Sequence, residues 1–161
     1  MKEINFLNKL KQEEKLSLTE QSEEISLSYT LKSDNSLKSA KILLENKLYD
    51  DSTSSSYYAM YNTLTALLFK VGIKCENHAG SILLLKVLFD QIELFNIISK
   101  AKEERIDKQY YVTSEDINFT EESARKILIN AEDFIIKMRL LLKNIKNQEI
   151  INLRKEFQNI N

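Results

Sequence analysis

Leu48-Tyr49-Asp50-Asp51, followed by Ser56-Tyr57-Tyr58-Ala59-Met60-Tyr61-Asn62, Leu67-Leu68-Phe69 and Gly72, is the stretch that decides the fold. Tyr57, Tyr61, Leu64, Leu68 and Val71 recur at helical spacing and so share one face. Tyr58, Asn62, Thr65 and Phe69 form a second stripe beside it. A helix that is apolar on two adjacent stripes packs on more than one neighbour, so this one belongs at the centre of the domain. Asp50 or Asp51 can cap its start, because a carboxylate accepts the unpaired N–H groups of a first turn. Gly72 ends it, since glycine enters the left-handed conformation without penalty.

The rest of the chain supplies helices to surround that one. At 161 residues it fits a single domain with a proper core. With no proline and only Gly72 and Gly80 as glycines, it lacks the turn residues that a sheet needs. The expectation is an all-α, antiparallel four- to five-helix bundle without β-structure, its core about 18–145 and its ends, 1–16 and 146–161, peripheral helical extensions. Ile4 to Leu16 reads as a short helix. Ser17 and Glu20 suggest a capping box for a helix from Leu18 to Asn46, with Tyr29, Ser33, Leu37, Ala40 and Leu44 facing the core. The weak formers Ser33 to Ser36 invite a break there. Asn77 can cap a helix that starts near Ala79 and is apolar almost all round from Ile82 to Phe95. So apolar a helix is buried on all sides or covered by another subunit, which points to a homodimer. An amphipathic pattern resumes from Asn96 to Tyr111. Val112 to Phe119 reads as a loop, and Thr120 or Asn118 caps a long helix through Ala124, Ile127, Ala131, Phe134 and Met138.

Composition excludes several classes. The net charge of −1 gives no global basic footprint for nucleic acid. The segment Lys137 to Glu156 carries six basic and two acidic residues, which suits either a solvated helix face or a modest phosphate-binding stripe. Cys75 alone forms no internal disulfide, and neither a signal core nor a membrane-length apolar run is present, so the reading is a cytoplasmic protein. Zinc needs about four ligands and only Cys75 and His78 are offered, so no metal or other cofactor is expected. Gly-rich phosphate loops and nucleophile elbows are absent.

One place retains chemistry. His78, the only histidine, stands at a helix start with Ala79, Gly80 and Ser81 after it. Unpaired N–H groups there favour an anion, and Gly80 lets a ligand approach the backbone. Tyr58 and Asn62 on the central helix, with Lys74 nearby, complete a candidate polar cleft. A histidine beside a phosphate serves as general acid or base near neutral pH. The plainer alternative is that His78 only caps or staples its helix.

Ser36-Leu37-Lys38-Ser39-Ala40-Lys41-Ile42-Leu43-Leu44, Tyr49-Asp50-Asp51, Tyr57-Tyr58-Ala59-Met60-Tyr61, Ala66-Leu67-Leu68 and His78-Ala79-Gly80, in that order, resemble the HEPN superfamily. The resemblance is strongest to small stand-alone HEPN proteins with a Tyr-Tyr-Ala-Met central helix. Arg105 and Tyr110 resemble that group's Arg-x-x-x-Asp-Tyr element, and Ala131 to Phe134 its Ala-x-x-Phe. The resemblance implies a helical bundle, usually a homodimer. Many members are metal-independent endoribonucleases and toxins, often paired with a minimal nucleotidyltransferase. It also brings Arg105 and Tyr110 into the candidate site. The ribonuclease motif places an arginine four to six residues before its histidine. Here Gly72 and Ile73 occupy that region, Gln109 replaces the expected Asp, and Ser55 and Ser56 stand where relatives carry an arginine. These departures favour a module that binds a nucleotide, RNA or protein partner. A metal-independent ribonuclease toxin using His78 and a helical scaffold are the alternatives.

Overall fold

The computed structural model describes residues 2–110 and 119–160, with only the helical backbone given for 106–110. Its elements are α1 (Lys2–Gln12), β1 (Leu16–Leu18), α2 (Glu23–Glu45), α3 (Tyr49–Val71), β2 (Ile73–Cys75), α4 (His78–Val87), α5 (Ile92–Tyr110), α6 (Glu121–Asn144) and α7 (Asn147–Asn159). The class is all-α. The expected loop Val112 to Phe119 lies outside the described residues, apart from Phe119.

The central position of α3 follows from its two stripes: it packs on α2, α5 and α6. Leu44, Tyr57, Leu64, Leu68, Leu85, Ile127, Phe134 and Met138, the expected core, are all buried. Small residues bring α2 close. The Ser33 hydroxyl donates to the Ala59 carbonyl at 2.8 Å and meets the Thr63 hydroxyl at 2.7 Å, and the Ser52 hydroxyl donates to the Ala40 carbonyl at 2.8 Å. These bonds satisfy buried hydroxyls, which would otherwise be costly. They also explain why α2 runs unbroken through its weakly helical middle.

Several local expectations are corrected. Ser17 lies in β1, and the N-cap of α2 is Ser22, whose Oγ accepts from the Ile25 N–H at 3.1 Å. The N-cap position of α3 is Leu48, without a side-chain cap. Asp50 and Asp51 sit in its first turn, where the helix dipole favours them. Gly72 ends α3 with φ of 80°, as expected. Thr120 caps α6 in a reciprocal box with Ser123.

The expected absence of β-structure is also corrected. Leu16, Ser17 and Leu18 pair antiparallel with Cys75, Lys74 and Ile73. A ladder this short is marginal alone. Burial of Leu16 and Ile73 holds it, and it acts as a clip on an otherwise helical domain.

The apolar run from Ile82 to Phe95 is two elements, α4 and the start of α5, turning at Asp90 with φ of 54°. Its cover comes from the same chain. Leu7, Leu10 and Leu16 before the bundle, and Ile150 and Phe157 after it, join one core cluster with Ile82, Leu84, Leu85, Leu88 and Phe89. The ends thus contribute core side chains beyond their expected peripheral place, and a second copy is not needed to cover this run. Two reciprocal clasps fasten α7. Lys11 Nζ donates to the Phe157 and Ile160 carbonyls at 2.7 Å each, and Arg154 Nη1 donates to the Thr19, Val71 and Gly72 carbonyls at 3.0, 2.9 and 2.8 Å. No helix among the described residues is long and apolar enough to cross a membrane.

Candidate functional site

The site grows out of the left-handed stop at Gly72. The three residues of β2 carry the chain past the end of α3, and Asn77 opens α4, its Oδ1 accepting the Gly80 N–H at 2.9 Å. His78 is therefore the first residue of α4 and lies against the tyrosine face of α3. Its ring stacks on Tyr61, with centroids 3.8 Å apart and an interplanar angle of 17°. Its Nδ1 is 2.8 Å from the Tyr57 hydroxyl. The Tyr61 hydroxyl meets the Ser81 Oγ at 3.2 Å. Tyr58, 38% exposed and so open to a ligand, presents an edge to His78 at 6.4 Å.

Arg105 joins this cluster from α5. Its guanidinium carbon lies 4.7 Å from the Tyr58 ring centroid and 5.2 Å from that of Tyr57. Cation–π attraction of this kind strengthens as water is excluded. Arg105 Nε is buried and makes no hydrogen bond among the described residues. A buried donor left unpaired is costly.

The electrostatics follow from burial and these cations. Burial, then the charges of Arg105 and Lys102, hold the His78 imidazole below the ordinary histidine value of 6.5. Burial, then Tyr61, pushes the Tyr57 phenol far above the usual phenol range, so it stays neutral. Burial also raises Tyr61, against the opposing hydrogen bond to Ser81. The ring is neutral at pH 7. With Nδ1–H donating to the Tyr57 oxygen, Nε2 carries the lone pair. With the Tyr57 hydroxyl donating instead, Nε2–H is a donor.

The structure brings together His78, Tyr58, Ser81 and Arg105, and it leaves others apart. Asn62 Nδ2 donates to the Ser36 Oγ at 3.4 Å and faces α2. Lys74 is exposed and paired with Glu76 at 2.6 Å. Gly80 is buried. A Cβ there would overlap Leu10 Cδ1 and stand 3.1 Å from Cys75 Sγ, so this glycine serves close packing and does not expose backbone to a ligand. The Tyr110 side chain lies outside the described residues. Tyr57 and Tyr61 read in the sequence only as core residues, yet they hold the histidine. A phenol on a core face must find a hydrogen-bond partner, and that requirement was the signal available. Lys102, one turn before Arg105, carried no signal at all.

Comparison with known proteins places this geometry in context. The HEPN domain family matches residues 27–143, which takes in His78 and Arg105 but leaves out α1, β1 and α7. A protein of Methanocaldococcus jannaschii named "Putative toxin MJ0605" is 35% identical over 117 residues, covering 70% of this chain and 84% of that protein. The "UPF0332 protein glr0978" of Gloeobacter violaceus is 38% identical over 51 residues, 32% of this chain and 40% of its own. No solved structure gives a significant match.

Proposed function

The chain belongs to the HEPN family, and from that premise we propose that it is a toxin-type module of a two-protein pair that binds single-stranded RNA through phosphate at His78 and Arg105. The observation that carries this is the Arg105 guanidinium laid over Tyr57 and Tyr58 beside the His78 ring. A guanidinium next to an imidazole and an open tyrosine face matches a phosphate with a stacked base. The toxin name of the archaeal relative supports the role. The partner is a minimal nucleotidyltransferase, as the family resemblance implies.

A second reading, metal-independent cleavage, is favoured by the same arginine, because α5 supplies the cation that the residues before His78 lack. Neutral His78 Nε2 would take the proton of a ribose 2′-OH. The 2′-oxygen would attack phosphorus, and the P–O5′ bond would break. The leaving oxygen would take its proton from water, and Arg105 would hold the charge that builds on phosphate.

The test is an RNA-binding titration by fluorescence anisotropy, with a parallel incubation in EDTA. Arg105→Gln is expected to weaken binding about tenfold, the scale of one charge-assisted hydrogen bond. Equal binding by wild type and variant would end this reading. RNA cleavage that persists in EDTA and disappears in His78→Asn would establish the second.

We further propose self-association through exposed apolar rows on neighbouring helices, Leu27 and Leu31 on α2 with Ile136 and Leu140 on α6. Light scattering at tens of micromolar is expected to return a dimer mass that falls to monomer in Ile136→Lys. A monomer mass for the wild type would contradict it.

A further inference from the structure

Beside the His78 cluster, α1, α4 and α5 line an open cavity of about 250 Å³, bordered among others by Phe6, Ala79, Phe95, Ser99, Lys102 and Glu103. Ala79 is the neighbour of His78 in the chain. Phe95, Ser99, Lys102 and Arg105 lie at i, i+4, i+7 and i+10 of α5, so one stripe of that helix runs from the cavity to the cation at His78. Lys102 is close enough for its charge to lower the His78 pKa. The cavity and the proposed phosphate site are therefore adjacent subsites along one line.

The lining has the character of a base pocket. Two partly buried aromatic rings, Phe6 and Phe95, provide apolar faces. Three polar side chains, Ser99, Lys102 and Glu103, make no hydrogen bond or ion pair among the described residues. Two nearby carboxylates are engaged, Glu93 with Lys137 at 2.6 Å and Glu3 with Lys86 at 2.7 Å, and Glu104 lines a different cleft of α5 with Asn96 and Lys100. Glu103 and Lys102 line one cavity together with Phe6 and Phe95, and a carboxylate and an ammonium on the rim of one pocket form a donor–acceptor pattern that selects among bases. Guanine is the base whose pairing edge presents two adjacent N–H donors, which one carboxylate accepts together, next to a carbonyl that an ammonium reaches.

We propose that this cavity is a guanine subsite: it holds the base of a guanosine in single-stranded RNA while the neighbouring phosphate lies at His78 and Arg105. Phe6 comes from α1, outside the part of the chain that matches the family, whereas Glu103 lies within it. The proposal rests on the RNA reading above. Stacking on an aromatic side chain supplies affinity, and Glu103 supplies discrimination.

The test uses labelled short oligouridines carrying one central guanosine, inosine, adenosine or uridine, with affinities read by fluorescence anisotropy on the full chain. The guanosine oligomer is expected to bind about tenfold tighter than the inosine and uridine ones, because inosine lacks the second donor. Glu103→Gln, at an exposed position, is expected to abolish that preference. Phe6→Leu, which keeps apolar volume but removes the stacking face, is expected to weaken the guanosine oligomer several-fold. Equal affinity for all four oligomers, or a guanosine preference that survives Glu103→Gln, overturns the guanine subsite while RNA binding stands. Displacement of the guanosine oligomer by free guanosine monophosphate at matching affinity overturns RNA as the occupant. Failure of every oligomer to bind overturns both readings together.

Discussion

At the residue scale the chemistry depends on how few groups hold His78. One phenol fixes its Nδ1, one ring stacks beneath it, and one guanidinium lies nearby. Its pKa is held below 6.5, with burial as the largest cause, and this has a signed consequence for stability. Above that value the ring is neutral whether the chain is folded or unfolded. As pH falls through it, the unfolded chain takes the proton first, so stability drops until the folded ring is protonated as well. Urea midpoints from about pH 7.5 to about pH 5.5 are therefore expected to fall more steeply for the wild type than for His78→Asn. Parallel curves would show that burial leaves the imidazole unperturbed. Tyr57→Phe removes the Nδ1 partner and is expected to cost about 1 kcal/mol, measured by the same unfolding curves. In the sequence His78 was legible because it is a unique titratable residue at a helix start. Arg105 entered only through family likeness, since its contact with Tyr58, 47 positions earlier, leaves no mark on local periodicity.

At the element scale, periodicity was a good guide where one face of a helix meets one neighbour. The α3 stripes, the α6 stripe and the stops at Gly72 and Thr120 could all be read directly. The reading failed where tertiary contacts overrule local preference. Ser33 to Ser36 stay helical because Ser33 bonds across to α3. Leu16 to Leu18 pair with β2 because the left-handed turn at Gly72 presents an extended segment beside them. Gly80 looked like a backbone opening for a ligand, but it is the point where α4 meets Leu10 of α1. Gly80→Ala is accordingly expected to destabilise the fold by about 1–3 kcal/mol, as overpacking does. Chemical denaturation would show it, and an unchanged midpoint would mean that Leu10 yields freely. Arg154 anchors α7 to three carbonyls at the end of α3. Arg154→Met keeps much of its length but removes a donor from those carbonyls, of which Gly72 retains the Thr19 N–H, with an expected loss of about 1–3 kcal/mol in chemical denaturation.

At the scale of the whole molecule, the family region and its flanks share one core cluster. Cutting the chain to residues 27–143 removes Leu7, Leu10, Leu16, Ile150 and Phe157, all buried. Each such side chain stabilises by about 1.5–3 kcal/mol, which together approaches the whole stability of a typical domain, about 5–15 kcal/mol. The trimmed chain is expected to lose its cooperative thermal transition in circular dichroism, and a sharp transition would show that α4 needs no cover from the ends. The α1 flank also supplies Phe6 to the cavity beside His78, so the proposed base subsite requires the full chain. Because the protein has one histidine, its imidazole can be followed in tag-free material by proton and nitrogen NMR as pH is varied, with and without a short single-stranded RNA. An RNA phosphate seated at His78 and Arg105 would raise the His78 pKa from its depressed starting point, since an adjacent anion favours the imidazolium. The account predicts that rise, together with its loss in Arg105→Gln. A His78 titration that is the same with and without RNA would contradict it.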